Sequence, residues 1–267
     1  MRAKAAPADR GPFRADQVRS GDPYELSRGH AILCAPTGGS GSGPNGLGFS
    51  AVGWDPAVRE AGVDTGYTPR PDTLRAPDVA VGNVPDKPGW VPGAPGLAIE
   101  YADVGQNEED LQAKITDLLA AGTRFLWVVR LSGPRRVEVH EPGKKMRIVQ
   151  PGQHLTAPGV LQNPVLVEAL YDRDEAERAT LTNLLQRRGY ADLESVLAQG
   201  REQGRAEGRA EGLAASVIAV LEARGLAIPK AIHKRIAQGT DAAQLDRLVR
   251  RAATVGKAAE LFDDDRR

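Results

Sequence analysis

The chain has 267 residues, enough for one full α/β core and a smaller module, since domains run to roughly 100–200 residues. Its 35 Lys and Arg balance its 35 Asp and Glu, which excludes a basic surface over the whole chain, so any DNA-facing patch must be local. The single cysteine, Cys34, excludes an internal disulfide and a cysteine-built zinc site, and no apolar window approaches the roughly 18 residues of a membrane span. A cytoplasmic protein with no membrane partner is the expectation.

Residues 1–20 are polar, with Gly11 and Pro12, and predict an arm or a first short helix. Tyr24-Glu25-Leu26 then leads to His30-Ala31-Ile32-Leu33-Cys34, an apolar stretch between Gly29 and Pro36 that predicts a strand with a buried thiol. As a nucleophile Cys34 would need a base, and His30, His140, His154 and His233 show no spacing that supplies one. Residues 36–48 predict a Gly/Ser/Pro loop. Its Gly41-x-Gly43-x-x-Gly46 has the letters of a dinucleotide fingerprint, but Pro44 lies inside it, and Gly48, Gly53 and Pro56 follow where a phosphate-binding helix should begin.

Three strand-like runs follow: Val79-Ala80-Val81 after Pro77-Asp78, Leu97-Ala98-Ile99 before Glu100, and Arg124 to Val129. Between the last two, residues 107–121 predict a helix that stops at Gly122. Arg136 to His140 alternates as a strand does, and Met146-Arg147-Ile148-Val149 is its expected hairpin partner across Pro142-Gly143. Strands around one crossover helix make an α/β or α+β domain.

After Leu170 the composition shifts to helix formers. Residues 200–212 repeat every four positions, with Gly200, Gly204, Gly208 and Gly212. Each glycine costs a helix about 1 kcal/mol relative to alanine, so this segment is either a helix held by close packing along the glycine stripe or a solvated charged linker. Leu213 to Arg224, Pro229 to Gln238 and Asp241 to Ala253 predict three further helical segments, with Asp241 or Thr240 as an N-cap. His233, Lys234, Arg235, Arg247, Arg250 and Arg251 invite a helix-turn-helix reading, against which stands a plain solvated face.

Metal-assisted phosphodiester cleavage needs carboxylates that converge on a divalent cation and a positive group that orients water and balances charge. Asp78 directly precedes one strand run and Glu100 directly follows another, so pairing of those strands would bring both to a common edge. Lys114 lies at the border of the apolar helix face made by Leu111, Ile115, Leu118 and Leu119, where spacing alone favours a side chain reaching out to water over one that meets buried acids.

Taken together, Pro77-Asp78-Val79-Ala80-Val81, Leu97 to Ala102 with Glu100, Lys114 before Gly122, and Phe125 to Val129 resemble the Uma-type family of restriction endonucleases within the PD-(D/E)XK nuclease-like superfamily. Tyr24-Glu25-Leu26 followed by Gly29 resembles that family's opening motif. The resemblance implies an α/β, restriction-endonuclease-like mixed central sheet flanked by helices, followed by an all-helical C-terminal extension. It implies Asp78 and Glu100 as holders of Mg2+ or Mn2+, Lys114 as the residue that assists the water, and Glu25 as a further acid. Glu100-Tyr101-Ala102 has no lysine two positions after the glutamate, so the helix-borne Lys114 takes that place. In the glycine-rich run, where the family would have a more helical stretch with a histidine, Asn45 stands. The Gly-Arg-Glu repeat and Leu245 to Phe262 resemble the helical segments behind some mobile-element-associated nucleases.

The expected organisation is an arm over 1–20, a nuclease domain over 21–172, a helical linker over 173–212 and a small helical module over 213–267. Nucleic acid, DNA first, is the expected partner, with a homodimer or coiled coil through the C-terminal helices. The competing readings are a catalytically silent protein of the same fold that binds nucleic acid or protein, and a nucleotide-binding enzyme using the glycine run.

Overall fold

The computed structural model describes residues 11–34, 36, 38–105 and 107–266, and the part of the expected arm over 1–10 lies outside them. The chain divides into two compact units, Met1–Ala191 and Asp192–Arg267. The first holds β1 (Tyr24–Ser27), β2 (His30–Leu33), α1 (Gly39–Gly53), β3 (Ala61–Val63), β4 (Tyr67–Arg70), β5 (Thr73–Arg75), β6 (Val79–Val81), β7 (Val91–Pro92) and β8 (Leu97–Ala102). After α2 (Glu108–Ala120) come β9 (Phe125–Arg130), β10 (Arg136–His140), β11 (Arg147–Val149), β12 (His154–Leu155), β13 (Val165–Leu166) and α3 (Arg173–Arg187).

The central sheet is mixed, in the order β11-β10-β9-β8-β6-β3, with β8 and β9 parallel and every other pair antiparallel. Helix α2 joins the parallel pair, as a parallel connection requires. Every residue of β8 is buried, because both faces are covered. Leu97, Ile99 and Tyr101 face one core, with Trp127, Val129 and Val137, while the small Ala98 and Ala102 face the other, where Leu111, Ile115 and Leu118 of α2 pack. Asn107 caps α2 by accepting from the amides of Glu109 and Asp110, and three acids in the first turn suit the helix dipole.

A second sheet, β2-β1-β5-β4-β7, lies earlier in the chain. Residues 11–20 dock on it: Ala15 packs with Leu26 and Leu74, and Trp90 Nε1 donates to the carbonyls of Ala15 and Val18. Apart from the 3-10 turn Ala15–Gln17 this segment has no helix. Strand β2 is its edge, so Cys34 is exposed and not the buried thiol that its apolar flank suggests.

Residues 36–48 do not form the expected loop, because α1 starts at Gly39 and carries Pro44 within it. Tertiary packing overrides poor local propensity here. Ala51 and Val52 join the core, Asn183 of α3 donates to the Ala51 carbonyl (2.9 Å), and Arg187 donates to the carbonyls of Trp54, Asp55 and Val58. The fully buried Asp55, just past α1, accepts from the amides of Gln162 and Asn163 (2.9 Å each). Gly48 is needed for contact: a Cβ there would lie 1.9 Å from the Tyr101 hydroxyl, which donates to the Leu170 carbonyl. Gly48→Ala is expected to cost about 1–3 kcal/mol, as overpacking does. A thermal melt identical to wild type would show that α1 is not seated against Tyr101.

In the second unit α4 (Leu193–Ala223) is one continuous 31-residue helix, followed by α5 (Lys230–Ala237), α6 (Ala242–Ala252) and a final 3-10 segment, Ala258–Arg266. The glycine repeat is therefore helical. Ala210, Ala214, Val217 and Leu221 of α4 form a core with Ile236, Leu245, Leu248, Leu261 and Phe262. Asp241 caps α6, accepting from the amides of Ala243 and Gln244. Of the basic residues that invite a DNA-reading helix, Arg235 stacks on Phe262, Arg250 pairs with Asp246, and Arg251 donates to the Glu260 carbonyl. No described helix is long and apolar enough to cross a membrane.

Candidate active site

Strand alternation sends Glu100 to the same face as Ala98 and Ala102, toward α2. Glu100 lies inside β8, which continues to Ala102, and does not follow the strand as its position after Leu97-Ala98-Ile99 suggests. The antiparallel register pairs Val79 with Ile99, which sets Asp78 across from Glu100 at the end of β6. Asp78 is held on both oxygens: the Tyr101 amide donates to Oδ2 (2.6 Å) and Asn45 Nδ2 of α1 donates to Oδ1 (3.2 Å).

Lys114 turns inward and meets the acids, against the expectation from spacing that it reaches water. Its Nζ donates to the Ala76 carbonyl (2.7 Å) and to Glu100 Oε2 (3.0 Å), and lies 2.9 Å from Glu25 Oε1. The side chain is 13% exposed. Because Leu111, Ile115 and Leu118 anchor the helix on the sheet, a lysine at their border has acids within reach at no cost in unpaired charge. The four candidates Glu25, Asp78, Glu100 and Lys114, drawn from β1, the start of β6, β8 and α2, thus converge.

Behind them lies a buried pair that the sequence reading missed. Arg75 of β5, 1% exposed, donates through Nε and Nη2 to Asp117 Oδ2 (3.0 and 2.8 Å) and through Nη1 to Glu25 Oε2 (3.3 Å). Glu25 thereby bridges Arg75 and Lys114. Asp117 also accepts from Arg70 (3.1 Å) and Ser27 (3.4 Å). Asp117 stands three residues after Lys114 on the same helix face, and that i,i+3 acid beside a border lysine is the signal in the sequence that could have revealed it.

Burial and the neighbouring Asp78 and Glu25 push the Glu100 carboxyl up to about 8, although Lys114 opposes the shift. Burial likewise raises Asp78, again against Lys114. Lys114 itself is raised, because the attraction of Glu100, Glu25 and Asp78 outweighs its own desolvation. It stays an ammonium at any working pH and is a donor, not a base.

Among the described residues no group of three or more His, Cys, Asp and Glu side chains is arranged to hold a metal ion. The donor set nonetheless fits a magnesium-like cation, which takes one or two carboxylates and keeps several waters. Asn45 Oδ1 is sealed from solvent with no hydrogen-bond partner among the described residues, and Glu100 Oε1, equally sealed, lies 2.9 Å from the Lys114 ammonium. An orphaned amide oxygen beside two carboxylates is a hard donor short of a partner.

The model of a family described as "Putative restriction endonuclease", Uma2, matches residues 13–167. The chain belongs to the Uma2 family. A solved structure described as a putative nuclease belonging to DUF820 from Anabaena variabilis matches this Uma2 chain with a TM-score of 0.53 at 19% identity. The match covers 62% of this chain and 99% of that one, and it shows the fold: a nuclease-like mixed sheet with helices, with a helical C-terminal region beyond the residues that the family model matches. No curated protein matches.

Three further features of the Uma2 chain bear on the sequence reading. The Gly41-x-Gly43-x-x-Gly46 run lies within α1 and forms no phosphate-cradling loop before a helix. Among the described residues none of the four histidines joins the cluster, and the Cys34 thiol lies 3.8 Å from the Ile32 carbonyl. Asn45, named only as a neighbour of the site, binds Asp78 directly.

Proposed function

We propose that this Uma2 protein is a metal-dependent endonuclease of the cytoplasm, hydrolysing phosphodiester bonds of nucleic acid, DNA first, with Mg2+ or Mn2+. The observation that carries the reading is the buried convergence of Asp78, Glu100 and Lys114 beside the unpartnered Asn45 amide oxygen, in a chain of a restriction-endonuclease family. Asp78 and Glu100 would hold the cation. When bound, such an ion polarises the phosphate and makes water nucleophilic near neutral pH.

The chain's own residues do the rest. The Tyr101 amide and Asn45 fix the Asp78 carboxylate, so its direction is set before any ligand arrives. Lys114, protonated throughout, offsets the charge that grows on the phosphoryl oxygens, and by releasing one of its three present acceptors it donates to the attacking water or to a phosphoryl oxygen. Glu25, held between Arg75 and Lys114, fixes where that ammonium sits. Severing both strands of a duplex takes two such sites, so a homodimer through the C-terminal helices belongs to this reading.

Supercoiled plasmid incubated with Mg2+ or Mn2+ should be nicked by the wild type, spared in EDTA, and spared by Asp78→Asn and Glu100→Gln. No cleavage by wild type, or cleavage that both variants retain, would favour a silent binding module of the same fold. A pH dependence follows from the charge balance. Burial and the neighbouring Asp78 and Glu25 raise the proton affinity of Glu100, so without metal it keeps a proton below about pH 8. A cation must displace that proton. Mn2+ binding followed by calorimetry should release about one proton below pH 8, and its affinity should fall about tenfold per unit of pH below that point. Affinity flat from pH 6 to 8 would exclude Glu100 as a ligand.

A further inference from the structure

Residues 197–209 of α4 are exposed on every side, so no part of the described protein holds this half of the helix. Gly200, Gly204, Gly208 and Gly212 have no atom within 4 Å of where a Cβ would stand. A helix that is polar all round and rich in glycine is poorly stable by itself. Its charges are sorted around the axis. At about 100° per residue, the residue after each glycine lies on one flank of the glycine row and the residue before it on the other. The first flank carries Arg201, Arg205 and Arg209, and the second carries Gln199, Gln203, Glu207 and Glu211. None of the three arginines makes an ion pair among the described residues. Leu193 and Leu197, half exposed, extend the glycine side toward the start of the helix, within about 60° of Gly200 around the axis.

We propose that this face is where a second copy of the chain docks, with the two α4 helices parallel. Glycine removes the side chains that would keep the backbones apart. Orientation follows from the flanks. When two identical helices face each other in parallel, the right flank of one meets the left flank of the other, so Arg205 and Arg209 lie level with the second copy's Glu207 and Glu211, and the reverse. Antiparallel, like flanks meet: arginine faces arginine and glutamate faces glutamate. Only the parallel arrangement pairs opposite charges. The pairing rests on the homodimer part of the reading above and is independent of cleavage.

The test uses the full chain without nucleic acid. Sedimentation at low salt should show a wild-type dimer that weakens as salt screens the flanks. Arg205→Glu with Arg209→Glu makes both flanks acidic and should weaken self-association about tenfold or more. Adding Glu207→Arg and Glu211→Arg, which exchanges the flanks, should restore it. Circular dichroism guards against global unfolding: any loss of helix content in the first variant should be confined to the amount this half of α4 contributes, and the exchanged variant should match wild type. Orientation is read by disulfide trapping in a Cys34→Ser background. Gly200→Cys and Gly208→Cys, made separately, should each cross-link to the same position on the second copy, since parallel docking along the glycine row sets its equivalent positions level and facing each other. A wild-type monomer at all concentrations, dimerisation indifferent to the charge changes, or cross-linking at only one position or at neither would overturn the proposal.

Discussion

Lys114→Met is expected to reduce plasmid cleavage by roughly 100- to 1,000-fold, the usual loss when one aimed donor is removed from a site of developing negative charge. Nζ touches Glu25, Glu100 and the Ala76 carbonyl, so methionine fills the space and removes every one of those contacts. The same variant carries a pH signature in EDTA. With the ammonium gone, the buried acids bind protons still more tightly when folded than when unfolded. An acid raised in this way stabilises the fold at low pH and loses that contribution as pH rises through its folded value. The deficit in melting temperature relative to wild type should therefore widen from pH 6 to pH 8. A deficit that narrows over this range, or full nicking activity, would show that Lys114 is not the group balancing Glu25 and Glu100.

The largest effect on stability is expected at Arg75. Arg75→Met leaves Asp117 with the half-exposed Arg70 and leaves Glu25 with Lys114 alone, deep in the protein. Removing one partner of a buried ion pair costs about 3–5 kcal/mol, because the other stays buried and charged. For a domain of this size that is a fall in melting temperature on the order of 10 °C. Arg75→Lys should fall between the two, since one ammonium cannot reach Asp117 and Glu25 with the fork that guanidinium offers. A melt of Arg75→Met within about 1 °C of wild type, on the scale just given, would remove Arg75 from the support of the site.

Strands β8 and β9 and helix α2 could be anticipated from the chain because their local signals agree with their tertiary roles. Apolar runs, a terminating Gly122 and an amphipathic stripe all point the same way. Helix α1 could not, because its local and global signals conflict. Glycine, serine and Pro44 argue for a loop, and only Tyr101, Asn183 and Arg187, distant in sequence, make a helix of it. The same conflict holds for β4 and β5, where Pro69 lies in the first strand and Pro71 in the turn between them. Asp78, Glu100 and Lys114 stood out through order and spacing, whereas Arg75 and Asp117 carry no motif. Their meaning lies in a contact between β5 and α2 that one-dimensional spacing does not encode. Lys114 shows the limit of a helical wheel: it gives the border position, but not that three acids wait there.

The grip of Asp55 on the amides of Gln162 and Asn163 has a bearing on how the molecule is made. By the time Lys114 has left the ribosome, every acid of the cluster has been synthesised, yet the segment that fastens the far end of α1 has not. Asp55 would then lack two of its three amide donors, and Asn45 would ride on a helix whose glycine-rich sequence cannot stand unaided. Contacts that span so much chain close late, after the local hairpins. A nascent chain halted before Gln162 would thus hold the acids and the lysine without a seated α1, and translation itself would delay assembly of the site until the domain is nearly complete.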